Sequence, residues 1–154
     1  MPKIEIDAVP LSSGCNYPPP FAEICLGATW RKLGDAGGLD QFGVNLVRLP
    51  PGKWSSQRHW HTEEDEFVFM LEGEVVLVED DGDHVLRPGD CAAWKAGVAD
   101  GHCLQNRSGA DAVYLEIGSR RPAVDACDYP DIDMVAHAGE AGYRHRDGTP
   151  YPED

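Results

Sequence analysis

Residues 57–71 read Gln57-Arg58-His59-Trp60-His61-Thr62-Glu63-Glu64-Asp65-Glu66-Phe67-Val68-Phe69-Met70-Leu71. The stretch divides into two strand-like runs, 57–61 and 66–71, around a polar connection. Similar short runs flank it at 42–49, 74–79, 84–86, 90–94, 102–106 and 112–118, most of them rich in Val, Phe, Leu or Tyr. Turn residues bound them: Pro50-Pro51-Gly52, Asp80-Asp81-Gly82-Asp83, Arg87-Pro88-Gly89 and Ser108-Gly109. No ten-residue helical period interrupts the series, so the core is predicted to be all-β and antiparallel, a sandwich or barrel.

The chain has 154 residues, one domain's worth, and its 17 Gly and 12 Pro punctuate it at strand-length intervals. Three parts are expected within that single domain: an irregular arm over 1–41, a barrel core over 42–118 and a polar extension over 119–154. The first arm carries Pro18-Pro19-Pro20 and is expected to add one or two edge strands around 21–30. The extension has no clear period, yet its two Tyr-Pro dipeptides mark it as a segment that packs on the barrel or on a second subunit.

A net charge of −14 leaves no positive patch for a phosphate backbone, which argues against nucleic acid as a partner. There is no apolar run long enough to span a bilayer and no apolar leader, so the reading is a soluble, cytoplasmic protein without membrane partners. Five cysteines without a C-x-x-C pair read as free thiols, mostly buried, rather than a disulfide framework.

In a strand, His59 and His61 project to the same face, about two rises of 3.3 Å apart, close enough to converge on one cation. Four acids follow. Glu63, Glu64 and Asp65 sit in the polar connection, whereas Glu66 opens an apolar strand and is the carboxylate drawn inside, where a cation would offset its burial. Strand parity alone does not choose among the acids, because 67, 69 and 71 are as apolar as 68 and 70. A third imidazole comes from His102, which opens the run 102–106. His84, His137 and His145 lack such partners and read as surface or structural residues.

These residues resemble a known family. Gly52, His59-x-His61, Glu66 and Gly73 are similar to the first signature of the cupin superfamily, and Gly89-Asp90, Gly97, His102 and Asn106 to the second. The likeness covers roughly residues 42–118. Tail segments around Tyr129-Pro130-Asp131 and His145-Arg146-Asp147-Gly148 also resemble a bacterial subgroup of small cupins that carries a provisional sugar-phosphate isomerase label. The sequence departs from the family in three places: one extra residue before His59, Lys95 in place of a proline, and two extra residues between Gly97 and His102. By strict counting the last insertion puts Asp100 where the family has histidine. His102 is preferred because its spacing to Asn106 is intact and loops absorb insertions.

The resemblance implies a double-stranded β-helix, a jelly-roll cupin barrel with irregular N- and C-terminal arms, holding one divalent transition metal ion (Fe, Mn, Ni, Co or Zn) on His59, His61, Glu66 and His102. A metal-dependent enzyme of isomerase or lyase type follows, acting on a small oxygenated metabolite such as a sugar phosphate or carboxylate. A dioxygenase and a non-enzymatic small-ligand sensor are the alternatives. No catalytic acid or base is named: Arg48, Gln57, Tyr114 and Glu116 read as packing or surface residues, and Asn106 as a strand anchor. A homodimer is expected, since jelly-roll barrels expose edge strands that the aromatic arms can cover.

Overall fold

The structure, a computed structural model, describes residues 3–152. Twelve strands carry the fold among them. They are β1 (Leu11–Ser13), β2 (Thr29–Lys32), β3 (Phe42–Leu49), β4 (Trp60–His61), β5 (Glu66–Glu72), β6 (Val75–Glu79), β7 (Gly82–Leu86), β8 (Cys91–Trp94), β9 (Cys103–Gln105), β10 (Ala112–Ser119), β11 (Cys127–Tyr129) and β12 (Met134–Ala136). One short helical turn, Leu33–Ala36, separates β2 from β3.

A six-stranded antiparallel sheet runs β1-β2-β3-β10-β5-β8. Facing it are two three-stranded sheets, β7-β6-β9 and β12-β11-β4. Isolated antiparallel bridges Trp54↔Gln105 and His59↔His102 join these two into one layer. The core between the layers draws Val47, Leu49, Val68, Met70 and Tyr114 from the large sheet, and Val75, Leu77, Leu86 and Leu104 from the other. This is the jelly-roll architecture expected of the sequence.

Register explains which residues reach the interior. Central strand β10 pairs Tyr114 with Val47 and Met70, then Glu116 with Asn45 and Val68, then Gly118 with Gly43 and Glu66. Paired residues share a sheet face. The inward face therefore changes along the strands from apolar (Val47, Met70, Tyr114) to polar (Asn45, Glu66, Glu116), and its carboxylates lie at the polar end. Gly73 turns β5 into β6 with φ of +70°, where a Cβ would lie 2.5 Å from the Asp111 carbonyl, so only glycine fits.

The arms are more regular than expected. In the N-terminal arm β2 begins only at Thr29 and β1 lies further back, while Pro18–Leu26 forms turns closed by backbone bonds such as Cys25 N–H to Ala22 O. The C-terminal extension, which has no sequence period, forms β11 and β12 because β11 finds a partner edge on β4: Cys127 pairs with His61 and Asp128 with Trp60. Within 57–61 only Trp60 and His61 are continuous strand; Gln57 and Arg58 bend, and the Gln57 side chain donates to the Phe21 carbonyl (2.8 Å). The acidic tip Asp80-Asp81 reaches beyond its own hairpin. Asp80 contacts Arg58, whose guanidinium is only 15% exposed and bonds Asp131 through two nitrogens at 2.8 Å, tying barrel to extension.

No disulfide forms: Cys25 and Cys103 are buried, Cys15 and Cys127 half-buried and Cys91 exposed. No helix among the described residues is long and apolar enough to cross a membrane.

Candidate metal centre

His59 and His102 exchange both backbone hydrogen bonds across their bridge (3.2 and 2.9 Å). That pairing sets their rings on one face with centroids 5.0 Å apart, and His61 lies at the same 5.0 Å from His59. Glu66 reaches this group from the opposite sheet. Its Oε2 lies 3.8 Å from His59 Nε2, 3.6 Å from His61 Nε2 and 2.6 Å from His102 Nε2. The donor atoms of His59, His61 and Glu66 all lie within 4.8 Å of one another, and His102 joins them through Glu66. Asp100 is turned away and accepts the Asp80 N–H at 3.0 Å. Glu64 and Asp65 also point elsewhere: Glu64 accepts the Arg121 N–H, and Asp65 Oδ1 accepts the Ala96 N–H at 2.8 Å.

Despite these short separations, Glu66 Oε2 is buried without an aligned hydrogen-bond donor. The side chains converge on a common point rather than bond one another, which suits a shared cation. The far sides of two rings are already engaged. His59 Nδ1–H donates to the Gln57 carbonyl at 2.9 Å, and His61 Nδ1–H to Asp125 Oδ2 at 2.7 Å. Both bonds keep a proton on Nδ1, so that either ring, when neutral, presents its Nε2 lone pair toward Glu66, the tautomer a metal ligand needs. His102 is held differently, stacked on Trp94 at 3.9 Å with an interplanar angle of 6°, and Trp94 is fixed by its Nε1–H bond to Glu79 (2.7 Å).

Charge is distributed unevenly. Burial lowers His59 to about 4, so that ring is neutral. Burial also works against protonation of His61, but the neighbouring Cys127 and Glu66 groups prevail and push it up to about 12. Burial raises Glu66 too, yet the His102 and His61 rings facing it hold it well below the usual carboxylate range. Without a metal, a proton on His61 supplies the positive charge. A divalent ion would displace that proton, so binding would release it.

Two groups near this centre lie outside the sequence expectation. The extension supplies Asp125, Cys127 and Tyr129 at alternate positions of β11 and its approach. Cys127 Sγ is 3.2 Å from His61 Nδ1, and the Tyr129 ring stacks on His59 at 5.6 Å. That alternation, Asp-x-Cys-x-Tyr, was the legible signal. The second group is a cavity of about 330 Å³ lined by Tyr17, Trp30, Asn45, Ser55, Glu116 and Tyr143 among others; none of the four clustered side chains lines it, and its Asn45–Glu116 wall lies one same-face layer from Glu66. Asn45 Nδ2 donates to Glu116 Oε2 at 3.1 Å. Burial raises the Glu116 carboxyl, the Asn45 bond opposes this, and the nearby Glu66 charge adds to the rise. Of the remaining histidines, His84 bonds Asp81 at the surface and His145 bonds Asp133.

Fold and site together define a small jelly-roll barrel with a buried cluster of imidazoles and one carboxylate at its mouth. The cupin domain family matches residues 45–118. A sugar phosphate isomerase of the cupin superfamily from Silicibacter pomeroyi is 45% identical, covering 98% of this chain and 97% of that one, with a TM-score of 0.92. The chain belongs to the cupin superfamily. An Acidithiobacillus ferrooxidans protein given a provisional form of the same name is 29% identical over 82% of this chain and 81% of its own, with a TM-score of 0.71. A polyketide cyclase from Streptomyces resistomycificus shares the fold, with a TM-score of 0.65 and 20% identity over 92% of this chain and 87% of its own. No curated protein matches the sequence significantly.

Proposed function

We propose that His59, His61, Glu66 and His102 hold one divalent transition metal ion and that the protein is a metal-dependent isomerase or lyase acting on a small oxygenated metabolite of the sugar-phosphate class. The observation that carries the metal reading is the buried Glu66 carboxylate, faced by three imidazole nitrogens within 3.8 Å without an aligned donor. Three imidazoles and one carboxylate fit a first-row divalent ion, and the donor set is compatible with Fe, Mn, Ni, Co and Zn. Such an ion, when bound, acts as a Lewis acid that polarises a C–O group and acidifies the adjacent C–H. The chain's own contribution is orientation: Gln57 and Asp125 fix two ring tautomers, Trp94 fixes a third ring, and Tyr129 shields His59 from water. The reaction class is supported by the protein from Silicibacter pomeroyi, which covers nearly the whole chain and carries the isomerase name.

The test is metal analysis of untagged protein purified without chelator, followed by assays of aldose–ketose phosphate interconversion and of oxygen consumption. About one ion per chain with isomerisation and no oxygen uptake is the expected result. Metal-dependent oxygen uptake would replace the isomerase with a dioxygenase, and absence of bound metal after reconstitution would end the metal reading.

A further inference from the structure

Among the inward-facing residues of the large sheet, Asn45 and Glu116 are the polar pair that the metal reading does not use. They sit opposite each other on β3 and β10, one residue pair before Gly118 and Glu66. Two residues along a strand is roughly 7 Å, a span comparable to the reach of a short polyol from the metal layer. The next layer inward is Val47 and Tyr114, which also line the cavity but pack into the apolar core, so Asn45 and Glu116 are where the polar part of this wall stops.

The pair is not self-sufficient. Asn45 Oδ1 is buried, and no donor among the described residues reaches it. Turning the carboxamide over exchanges which of its atoms meets Glu116 and still leaves the other without a partner. A buried carboxyl and a half-satisfied carboxamide cost stability that two apolar side chains of the same size would not. A structural role for the pair therefore lacks a rationale, whereas a ligand supplying hydroxyl groups completes both. The remaining wall is aromatic, with Tyr17, Trp30 and Tyr143, and it offers flat apolar faces to the C–H side of such a molecule.

We propose that Asn45 and Glu116 form a hydroxyl-binding subsite, so that the cavity takes a polyhydroxylated small molecule of the sugar class with one end at the metal layer and its hydroxyls on this pair. The proposal rests on the metal reading for the position of the reacting end, but the subsite is tested separately from it. Asn45 and Glu116 are both binding residues here.

The experiment compares wild-type protein with the double variant Asn45→Val/Glu116→Met, which removes both polar partners together and so leaves neither orphaned. Metal per chain and the thermal midpoint are measured first. Calorimetric titration then uses ribose 5-phosphate and glucose 6-phosphate as probes, with inorganic phosphate as control. The expected result is unchanged metal content, an equal or higher midpoint, and at least about tenfold weaker binding of the sugar phosphates, the worth of one lost hydrogen bond or more. Binding unchanged within twofold would overturn the subsite, as would wild-type protein that binds neither sugar phosphate. Inorganic phosphate showing the same loss would also overturn it, because the pair would then be reading phosphate and not hydroxyls. Lack of metal in the wild type would sink the metal reading alone, since the same titrations on metal-free protein still report on the pair.

Discussion

Asp125 Oδ2 lies 2.7 Å from His61 Nδ1, and Asp125 Oδ1 accepts the backbone N–H groups of Glu63 and Glu64 at 2.8 and 3.1 Å. One carboxylate, from outside the stretch matched by the cupin domain family, thus orients an imidazole and pins the loop leading to Glu66. Outer partners of this kind are typically worth 10–100-fold in metal affinity. Asp125→Ala is expected to weaken metal retention by that order, read as the chelator concentration needed to strip the ion. Asp125→Asn should recover part of the loss, because an amide oxygen still accepts the Nδ1 proton.

Glu66 and Glu64 are two residues apart and placed for different work. Glu64 caps a backbone N–H on the surface, while Glu66 faces three histidines. Glu66→Gln is expected to abolish stoichiometric metal binding, and Glu64→Gln to leave it intact with a stability change within about 0.5 kcal/mol. Metal content of the two purified variants decides the point. The reverse pattern would relocate the inward face of β5.

Much of this was legible from residues alone. Strands β3, β5, β6, β8 and β10 follow from short apolar runs between strong turn signals, because each buries one face and its pattern reflects that burial. The convergence of His59, His61 and Glu66 was legible because a two-residue period and an apolar strand start are local facts. The roles of Asp125 and Asn45 were not, since each depends on a partner far away in sequence: His61 is 64 residues from Asp125, and Glu116 is 71 from Asn45. Strands β11 and β12 escaped for a similar reason. β11 owes its pairing to the edge of β4, and the Asp-x-Cys-x-Tyr alternation around it is too short to mark a strand by itself.

The outer face of the large sheet exposes Phe69 and Leu71 on β5, at 36% and 40%, beside the edge strand β8, and Phe42 at the start of β3, at 42%. The N-terminal arm reaches the β3 side of this face, where Leu33–Ala36 packs and Gly34 lies against Phe42 and Val44, and leaves Phe69 and Leu71 of β5 exposed. A second copy of the chain against this face is the expected cover. Sedimentation at micromolar concentration should give twice the 16.8 kDa of one chain, and Phe69→Lys should shift the protein to monomer without loss of metal.

Arg58 joins barrel and extension, and its environment fixes both the size and the pH range of its contribution. It bonds Asp131 and the Gly101 carbonyl (3.1 Å) and contacts Asp80, with the two acids more than half exposed. Solvent screening reduces what such pairs contribute, so Arg58→Ala is expected to cost about 1–2 kcal/mol, and Asp131→Asn less. The bond from Arg58 chiefly holds the Asp131 carboxyl below its ordinary value. A depressed carboxyl contributes stability that is fully present above its unfolded value, about 3.9, and is lost as pH falls through the lower folded value. Wild-type protein should therefore lose stability below about pH 4 more steeply than Asp131→Asn does, and the two should run parallel from pH 5 to 8. Urea unfolding across that range measures the difference. Curves that stay parallel down to pH 3 would mean that Asp131 is not held by Arg58 in solution and that the extension is secured by β11 pairing alone.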